Sequence, residues 1–302
     1  MPKKIVAFGE LVWDVFHDGK QLGGAPVNLV YRVNSLGDTG FLLSRIGDDV
    51  SGREALQMLR KIGISMDDVQ IDTFFPTGIA EVKLRKDYSP EFIIEPDMAF
   101  DHIEFTAEAL KLVRDADCLV FGTLVQRYGI SKNTLRELLN EAQEKLKYLD
   151  LKLRKNSYNR NILINSLRAA NILRVKEKEL FVLNDELELS SSGEPVGLAR
   201  ELISRYDIDI VLVTRNKFGV YAVSKSNEVI EVPGHEIELV DTVGSGSAFS
   251  AGFLHIYLKN KNILEALRFG NAAGALTATA HGAITPVTKN EIFALLQNNQ
   301  SC

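Results

Sequence analysis

The sequence predicts an α/β fold: a doubly wound, mostly parallel sheet with a small β lid. Short apolar runs of the buried-strand type alternate with amphipathic helical stretches from the N-terminus onward, which is typical of a parallel sheet covered by helices. The segment from about residue 79 to 94 instead alternates hydrophobic with polar residues. That second pattern indicates strands with one solvated face, outside the main sheet.

The individual elements follow in chain order. Apolar runs predict main-sheet strands at 5–9, 41–46, 118–122, 148–151, 172–175 and 209–214. Amphipathic periodicity predicts helices at 27–36, 51–62, 132–146, from 176, and at 195–205, 245–258, 263–280 and 289–296. Pro26 lies near the first turn of the first helix, and Ser51 is the candidate cap of the second. Strands at 220–223 and 229–232 are expected to pair near a sheet edge.

The lid is predicted from two short strands, 79–84 and 91–94, which a polar turn at 85–90 separates. No repeat, low-complexity tract or clear interdomain linker interrupts the chain. We therefore expect one domain over residues 1–302, with lid segments at about 11–23 and 77–100.

The composition is that of an ordinary globular protein. The 302 residues are 45% hydrophobic and 25% charged, and the formal net charge is −5 without a prominent run of Lys or Arg, so we expect no nucleic-acid partner. No apolar run approaches the length of a membrane span, so a cytoplasmic protein without a membrane partner is expected. Cys118 and Cys302 form no Cys-x-x-Cys pair or Cys/His cluster that would indicate zinc.

The segment 241–249 has the pattern of an anion-binding loop. Gly244 and Gly246 flank Ser245 just before an apolar helix, and glycines allow a tight turn and close approach to a ligand. The first N–H groups of a helix have no intrahelical partner and, with the helix dipole, attract anions. The segment therefore predicts a phosphate-binding loop; a plain glycine turn before a core helix is the alternative.

Several motifs, in order and over nearly the whole chain, resemble the PfkB (ribokinase-like) sugar kinases. Residues 241–246 resemble the C-terminal signature of that family, 23–28 its Gly-Gly…Asn segment, and Gly9-Glu10 with Asp14 its first strand and sugar-contacting Asp. The other matching segments are 45–52, 99–101 (as in fructokinase-like members), 271–275 and 282–286.

The resemblance implies a ribokinase-like three-layer αβα kinase domain with a lid. It implies ATP-dependent transfer of the γ-phosphate to a hydroxyl of a sugar, fructose or a related ketose or aldose. Mg²⁺ would accompany ATP, some members also have a K⁺ loop, and lids in the family often pair into homodimers.

The resemblance also implies roles for matching residues. The sugar would be bound by Asp14, Gly24 and Asn28, and the anion hole would consist of Gly244, Ser245 and Gly246. The nucleotide would lie near Lys176, Thr214, Gly219 and Asn271. Glu179 would hold Mg²⁺ through water, and Asp241 would lie near a monovalent-cation loop. Arg154 would contact a phosphate; an ion pair with Asp150 is the alternative for this residue.

Four positions depart from the family pattern. Ser247 stands where the family has its general-base Asp, Lys152 replaces the Asn of D-x-N-x-R, Lys176 replaces the Asn of N-x-x-E, and Asn216 replaces the first Gly of T-x-G-x-x-G. A hydroxyl has no proton-accepting form near neutral pH.

Two interpretations follow from these departures. The chain is either a sugar kinase weakened at its base or a sugar- or nucleotide-binding protein without turnover. Our hypothesis for Lys152 and Lys176 is that they place positive charge beside the phosphates and partly replace a metal ion; solvent-facing lysines are the alternative.

Overall fold

The computed structural model describes residues 1–17, 19–84, 90–190 and 193–298. Of the polar turn predicted at 85–90, all but Pro90 lies outside these residues, as does Cys302. The strands are β1 (Lys4–Phe8), β2 (Val12–Phe16), β3 (Gly19–Gly23), β4 (Thr39–Gly47), β5 (Val69–Asp72), β6 (Gly78–Leu84), β7 (Pro90–Ile94), β8 (Cys118–Phe121), β9 (Leu146–Asp150), β10 (Ile172–Lys176), β11 (Ile210–Thr214), β12 (Val220–Ser224) and β13 (Val229–Val232).

Ten α-helices lie within the described residues. They are α1 (Ala25–Ser35), α2 (Val50–Lys61), α3 (Ala107–Asp115), α4 (Gly129–Glu141), α5 (Arg160–Ala169), α6 (Glu177–Leu187), α7 (Pro195–Tyr206), α8 (Ser245–Asn260), α9 (Ile263–Thr277) and α10 (Lys289–Asn298). Short 3-10 helices lie at Ala99–His102, Leu124–Gln126 and Asn216–Phe218.

Within the described residues, nine strands form the main sheet in the order β13-β12-β11-β10-β9-β8-β1-β4-β5. In this spatial order, each pair of neighbouring strands between β11 and β5 is parallel. At the other edge, β12 is antiparallel to β11, and β13 is antiparallel to β12. The predicted α/β class and the edge pair are confirmed. Parallel strands bring their carboxyl ends to one edge, which is where ligands bind in such sheets.

Each face of the main sheet packs against its own helical layer. Neighbouring residues of β1 alternate between the two cores: Ile5 and Ala7 join the core that contains α1, α8 and α9, while Val6 and Phe8 join the core that contains α3 to α7. This alternation follows from the two-residue period of a strand. The result is the expected three-layer αβα arrangement.

A second, small sheet has the order β3-β2-β6-β7. Strands β6 and β7 are antiparallel, as the hairpin prediction required, and β2 pairs in parallel with β6. Its inward face includes the buried Val12 and Ala80. Its outward face includes Ile79 and Ile93, which are 43% and 37% exposed.

The structure corrects several predicted boundaries. The cap of α2 is Asp49, whose carboxylate accepts the Gly52 N–H at 2.7 Å, and Ser51 lies inside the helix. The helix predicted to reach Leu146 ends at Glu141, because Leu146 already pairs with Cys118 in the sheet. The helix predicted to reach 280 ends at Thr277.

Other elements were not predicted from the sequence. The helices α3 and α5 begin at side-chain caps, Thr106 and Asn159. The strands β2, β3 and β5 also escaped prediction as strands, although β2 and β3 lie within the predicted lid segment 11–23.

Arg32 joins the first helix to the C-terminal part of the chain. Its side chain is buried, and its guanidinium donates to the carbonyl oxygens of Val287 and Thr285 at 2.9 and 3.0 Å. It also donates to the hydroxyls of Thr285 and Thr277 at 3.0 and 3.2 Å. These bonds fix α1, which carries Asn28, against residues 277–287.

The helices within the described ranges include none long and apolar enough to cross a membrane.

Candidate functional site

A pocket opens at the carboxyl ends of the central strands. Its walls come from the ends of β1 and β8, the start of α1, and the segment 150–154 that follows β9. The polar side chains that line it include Glu10, Asp150, Lys152 and Arg154.

The loop at the start of α8 presents free amide groups. Gly244 precedes the helix in a left-handed conformation, with φ of 82°, and a Cβ there would come 2.5 Å from Cα of Ala283. The N–H of Ser245 donates to the Thr242 carbonyl, but those of Gly246 and Ser247 have no acceptor among the described residues. Two unsatisfied amides at a helix N-terminus are the expected construction of an anion site.

Arg174 lies directly beneath this loop. A Cβ on Gly246 would come 2.7 Å from Nη2 of Arg174, so any larger residue at 246 would force the guanidinium to move from this place. Arg174 is 3% exposed, and it donates to Oδ1 of Asp150 at 3.1 Å and to Oγ1 of Thr214 at 3.1 Å. Sequence reasoning missed Arg174; the signal was a cation within the otherwise apolar strand β10.

Ser247 contacts a lysine that comes from a distant part of the chain. Its hydroxyl is 2% exposed, accepts a hydrogen bond from Nζ of Lys152 at 2.8 Å and donates to the Ala25 carbonyl at 3.4 Å. Nζ of Lys152 is also 3.0 Å from Oδ2 of Asp150. Two of the departures found in the sequence, at 152 and 247, are thus in direct contact.

Asp150 holds two cations in place. Burial raises the pKa of its carboxyl, but the charges of Lys152 and Arg174 outweigh burial and hold that pKa below its usual value. The carboxylate therefore stays ionised at neutral pH. Because both of its oxygens are engaged, Asp150 is poorly placed to accept a further proton.

Lys176 and Glu179 lie at the junction of β10 and α6. The Glu179 carboxylate accepts the N–H groups of Lys176 and Leu153, at 2.9 and 3.0 Å, which ties the 150–154 segment to the start of α6. Burial, with the nearby charge of Arg174, lowers the pKa of Lys176 to about 8. Its ammonium forms no salt bridge within the described residues.

The carboxylates near this position give only a weak fit to a metal ion. The described residues contain no group of three or more His, Cys, Asp or Glu side chains that could hold one. Asp150 is neutralised by two cations, and each oxygen of Glu179 already accepts an amide. Mg²⁺ would have to bind mainly through phosphate oxygens and water.

The other residues predicted near the nucleotide lie at the same end of the sheet. Thr214 contacts Arg174, and Nδ2 of Asn271 donates to the Pro233 carbonyl at 2.7 Å. Gly219 follows a short 3-10 helix and packs against the same 232–234 segment. Asp241 accepts the N–H groups of Val243 and Gly282, both at 2.9 Å, so it joins the loop that precedes α8 to the segment after α9.

The residues predicted to bind sugar lie where the small sheet meets α1. Asp14 is on β2, Gly24 precedes α1, and Asn28 is within α1 and has a buried Oδ1 without a hydrogen-bond partner in the described chain. Burial raises the pKa of Asp14 to about 7, although the charge of Arg154 opposes the shift. The carboxyl of Asp14 thus changes charge near neutral pH.

Glu10 and Phe92 complete this end of the site, and sequence reasoning gave neither a role. Oε1 of Glu10 accepts the Ala25 N–H at 2.9 Å, and burial raises the pKa of Glu10. The guanidinium of Arg154 lies 4.4 Å from the ring centroid of Phe92 on β7. Arg154 therefore connects the pocket to the small sheet.

Comparisons with known proteins agree with this geometry. The chain matches the family described as "pfkB family carbohydrate kinase" over residues 1–290. It is 28% identical to fructokinase-1 of Oryza sativa subsp. japonica over 296 residues, which cover 92% of this chain and 89% of that protein.

Solved structures of similar proteins share the fold. Fructokinase with bound ATP from Xylella fastidiosa has a TM-score of 0.84 at 21% identity and covers 99% of this chain and 100% of its own. A fructokinase double mutant from Vibrio cholerae O395, bound to fructose, ADP and potassium, has a TM-score of 0.82 at 21% identity and covers 97% and 98%.

Proposed function

The chain belongs to the pfkB family of carbohydrate kinases, and on that premise we propose that it binds ATP and fructose or a related sugar, and phosphorylates a sugar hydroxyl slowly. Its fructokinase-like relatives support the sugar class. The observation that carries the proposal is the pair of free amides at Gly246 and Ser247, with Arg174 beneath them and Lys152 beside them. Such a group would hold the charge of a moving phosphoryl group.

The proposed transfer needs a route for one proton. A sugar hydroxyl attacks the γ-phosphorus, the bond from the γ-phosphorus to the bridging oxygen breaks, and ADP leaves. The hydroxyl proton cannot pass to Ser247, whose Oγ is already bonded to the Lys152 ammonium, so it leaves to solvent. The loss of a general base typically costs about 10²–10⁴-fold in rate, whereas positioning and the anion hole remain.

A coupled ATP-turnover screen over a panel of hexoses and pentoses, with fructose included, tests the proposal. We expect slow but measurable turnover with at least one sugar, together with calorimetric binding of both ATP and that sugar. Fast turnover would show that Ser247 does not limit the reaction. A chain that binds neither ligand would overturn the proposal.

The second candidate function is a binding protein without turnover. The contact between Lys152 and Ser247 favours it, because the hydroxyl that stands at the position of the family's proton acceptor already accepts a hydrogen bond from an ammonium group. Calorimetric binding of sugar and ATP, with no ADP formed over a long incubation, would select this candidate.

We expect ATP binding to survive removal of divalent metal. Lys176 supplies positive charge near the proposed phosphate position, whereas Asp150 and Glu179 are engaged with cations and amides. The Kd for ATP in EDTA should therefore stay within about tenfold of its value in Mg²⁺. Equilibrium binding in the two buffers measures this, with Lys176→Asn as the matched variant that should depend more strongly on Mg²⁺. A strict requirement for Mg²⁺ in the natural chain would refute the expectation.

Sugar affinity should fall as the pH is lowered from 8 to 6. The ionised carboxylate of Asp14 accepts stronger hydrogen bonds from sugar hydroxyls than the protonated acid does. With a pKa of about 7, the ionised fraction falls about tenfold over this range, and the Kd should rise by about the same factor. Calorimetry with fructose as the first sugar, or the best sugar from the screen, measures this.

Asp14→Asn is the control for the pH effect, and its sugar affinity should not vary over the same range. Because the folded pKa is raised, Asp14 contributes stability that is fully present below its unfolded pKa and is lost as the pH rises through about 7. The natural chain should therefore lose stability relative to Asp14→Asn between pH 5 and pH 8. Parallel pH profiles of the two proteins would contradict both statements.

The outward face of the small sheet is where we place the expected homodimer contact. Ile79 and Ile93 expose apolar surface there, on paired strands. Light scattering should give the mass of a dimer, and Ile79→Glu should give that of a monomer. A monomeric natural chain would exclude this contact.

A further inference from the structure

A second cavity, separate from the pocket described above, lies between α4 and α5. Its volume is about 340 Å³. Six exposed polar residues line it: Lys132, Asn133, Arg136, Asn140, Asn165 and Arg168. Buried residues of the same lining are Gln126, Leu135, Ile162 and Ser166. We call this cavity the α4–α5 groove.

The charge of the groove is entirely positive. Lys132, Arg136 and Arg168 line it without any Asp or Glu, and none of the three forms a salt bridge in the described part of the chain. Residues 127–169 contain ten Lys or Arg and four Asp or Glu, although the whole chain has 35 and 40. Unpaired like charges in a concave surface concentrate the field and attract anions.

The uncharged groups of the groove are also suited to a ligand. The side-chain amides of Asn133, Asn140 and Asn165 make no hydrogen bond with the described residues, so their donors remain available. By contrast, Nε2 of Gln126 donates to the Ser166 hydroxyl and to the Gly122 carbonyl, both at 2.8 Å. The buried base of the groove is therefore held by hydrogen bonds. The exposed cations and amides at its edge have no partner among the described residues.

We propose that the α4–α5 groove binds a small multivalent anion, with the phosphate ester or pyrophosphate as its chemical class. Guanidinium groups match phosphate oxygens in geometry as well as in charge. Leu135 and Ile162 give the groove an apolar part for the carbon skeleton of an ester. The site is independent of the proposed kinase reaction, since none of its residues lines the central pocket.

Hydrogen–deuterium exchange with pyrophosphate as the probe tests this site peptide by peptide. Pyrophosphate should slow exchange in the 129–141 and 160–169 peptides of the natural chain, independently of any change at 244–250. Arg136→Gln/Arg168→Gln should raise the pyrophosphate concentration needed for half-maximal protection of those peptides by about tenfold or more, because two charged hydrogen-bond donors are lost.

The matched control is Arg60→Gln/Lys61→Gln, which removes the same charge from the end of α2, on the opposite face of the main sheet. It should leave the protection unchanged. The proposal is overturned if only the 244–250 peptides respond, if both double variants behave alike, or if sodium chloride at the same ionic strength protects the groove equally.

Discussion

Ser247→Asp combined with Lys152→Asn should raise kcat/KM for the sugar substrate about 10²–10⁴-fold above the natural chain, whereas Ser247→Asp alone should gain far less. The difference arises from the 2.8 Å contact between Nζ of Lys152 and Oγ of Ser247. A carboxylate placed at 247 would form an ion pair with that ammonium, which would lower its pKa and weaken it as a base. Removal of the lysine frees the carboxylate to accept the hydroxyl proton.

The measurement is the same coupled assay on four proteins: the natural chain, each single variant and the double variant. Lys152→Asn alone should gain nothing, because no base is present. Ser247→Asn/Lys152→Asn is the control of matched shape, since asparagine resembles aspartate in size but accepts no proton at neutral pH. Equal gains from Ser247→Asp and from the double variant would show that Lys152 does not restrain position 247.

Asp150→Asn should destabilise the protein by about 3–5 kcal/mol. The substitution removes the charge that separates Lys152 from Arg174 and leaves two cations facing each other in a largely buried place. Arg174→Met should also destabilise it, but less, because Lys152 still neutralises Asp150. Chemical denaturation at neutral pH measures each free energy of unfolding.

The double variant Asp150→Asn/Arg174→Met distinguishes a coupled network from two independent sites. Replacement of both partners of a buried ion pair is often nearly neutral, whereas removal of one partner is costly. The loss in free energy of unfolding for the double variant should therefore be smaller than the sum of the two single losses, by about 2 kcal/mol or more. Additive losses would mean that Asp150 and Arg174 are stabilised separately.

The overall architecture could be predicted from sequence because several central strands are mostly apolar runs, as in Ile210–Thr214, and a run of this kind can be recognised without its partner strands. The helix α5 was missed: it is only ten residues long, and its N-terminus depends on one Asn159 side chain that accepts the Ile162 N–H. Local signals of this size are too weak to distinguish a short helix from a loop.

The site could be predicted from the sequence where it depends on local features of the chain. A tight turn requires glycine at particular positions, so the pattern of Gly244 and Gly246 can be recognised in the sequence. The contact between Lys152 and Ser247 joins positions 95 residues apart, and Arg174 reaches Gly246 only because β10 ends beneath α8. Such neighbours are set by the arrangement of strands in the sheet, which composition and spacing do not encode.

The bonds of Arg32 have a consequence for synthesis of the chain. The first helix carries Asn28 and contributes to the pocket, yet its buried guanidinium finds its acceptors only at residues 277–287. During synthesis, α1 is made first, and the Arg32 guanidinium stays hydrated until residues 277–287 have also left the ribosomal exit tunnel. Docking of α1 against residues 277–287, and with it completion of this wall of the pocket, should therefore come late in folding.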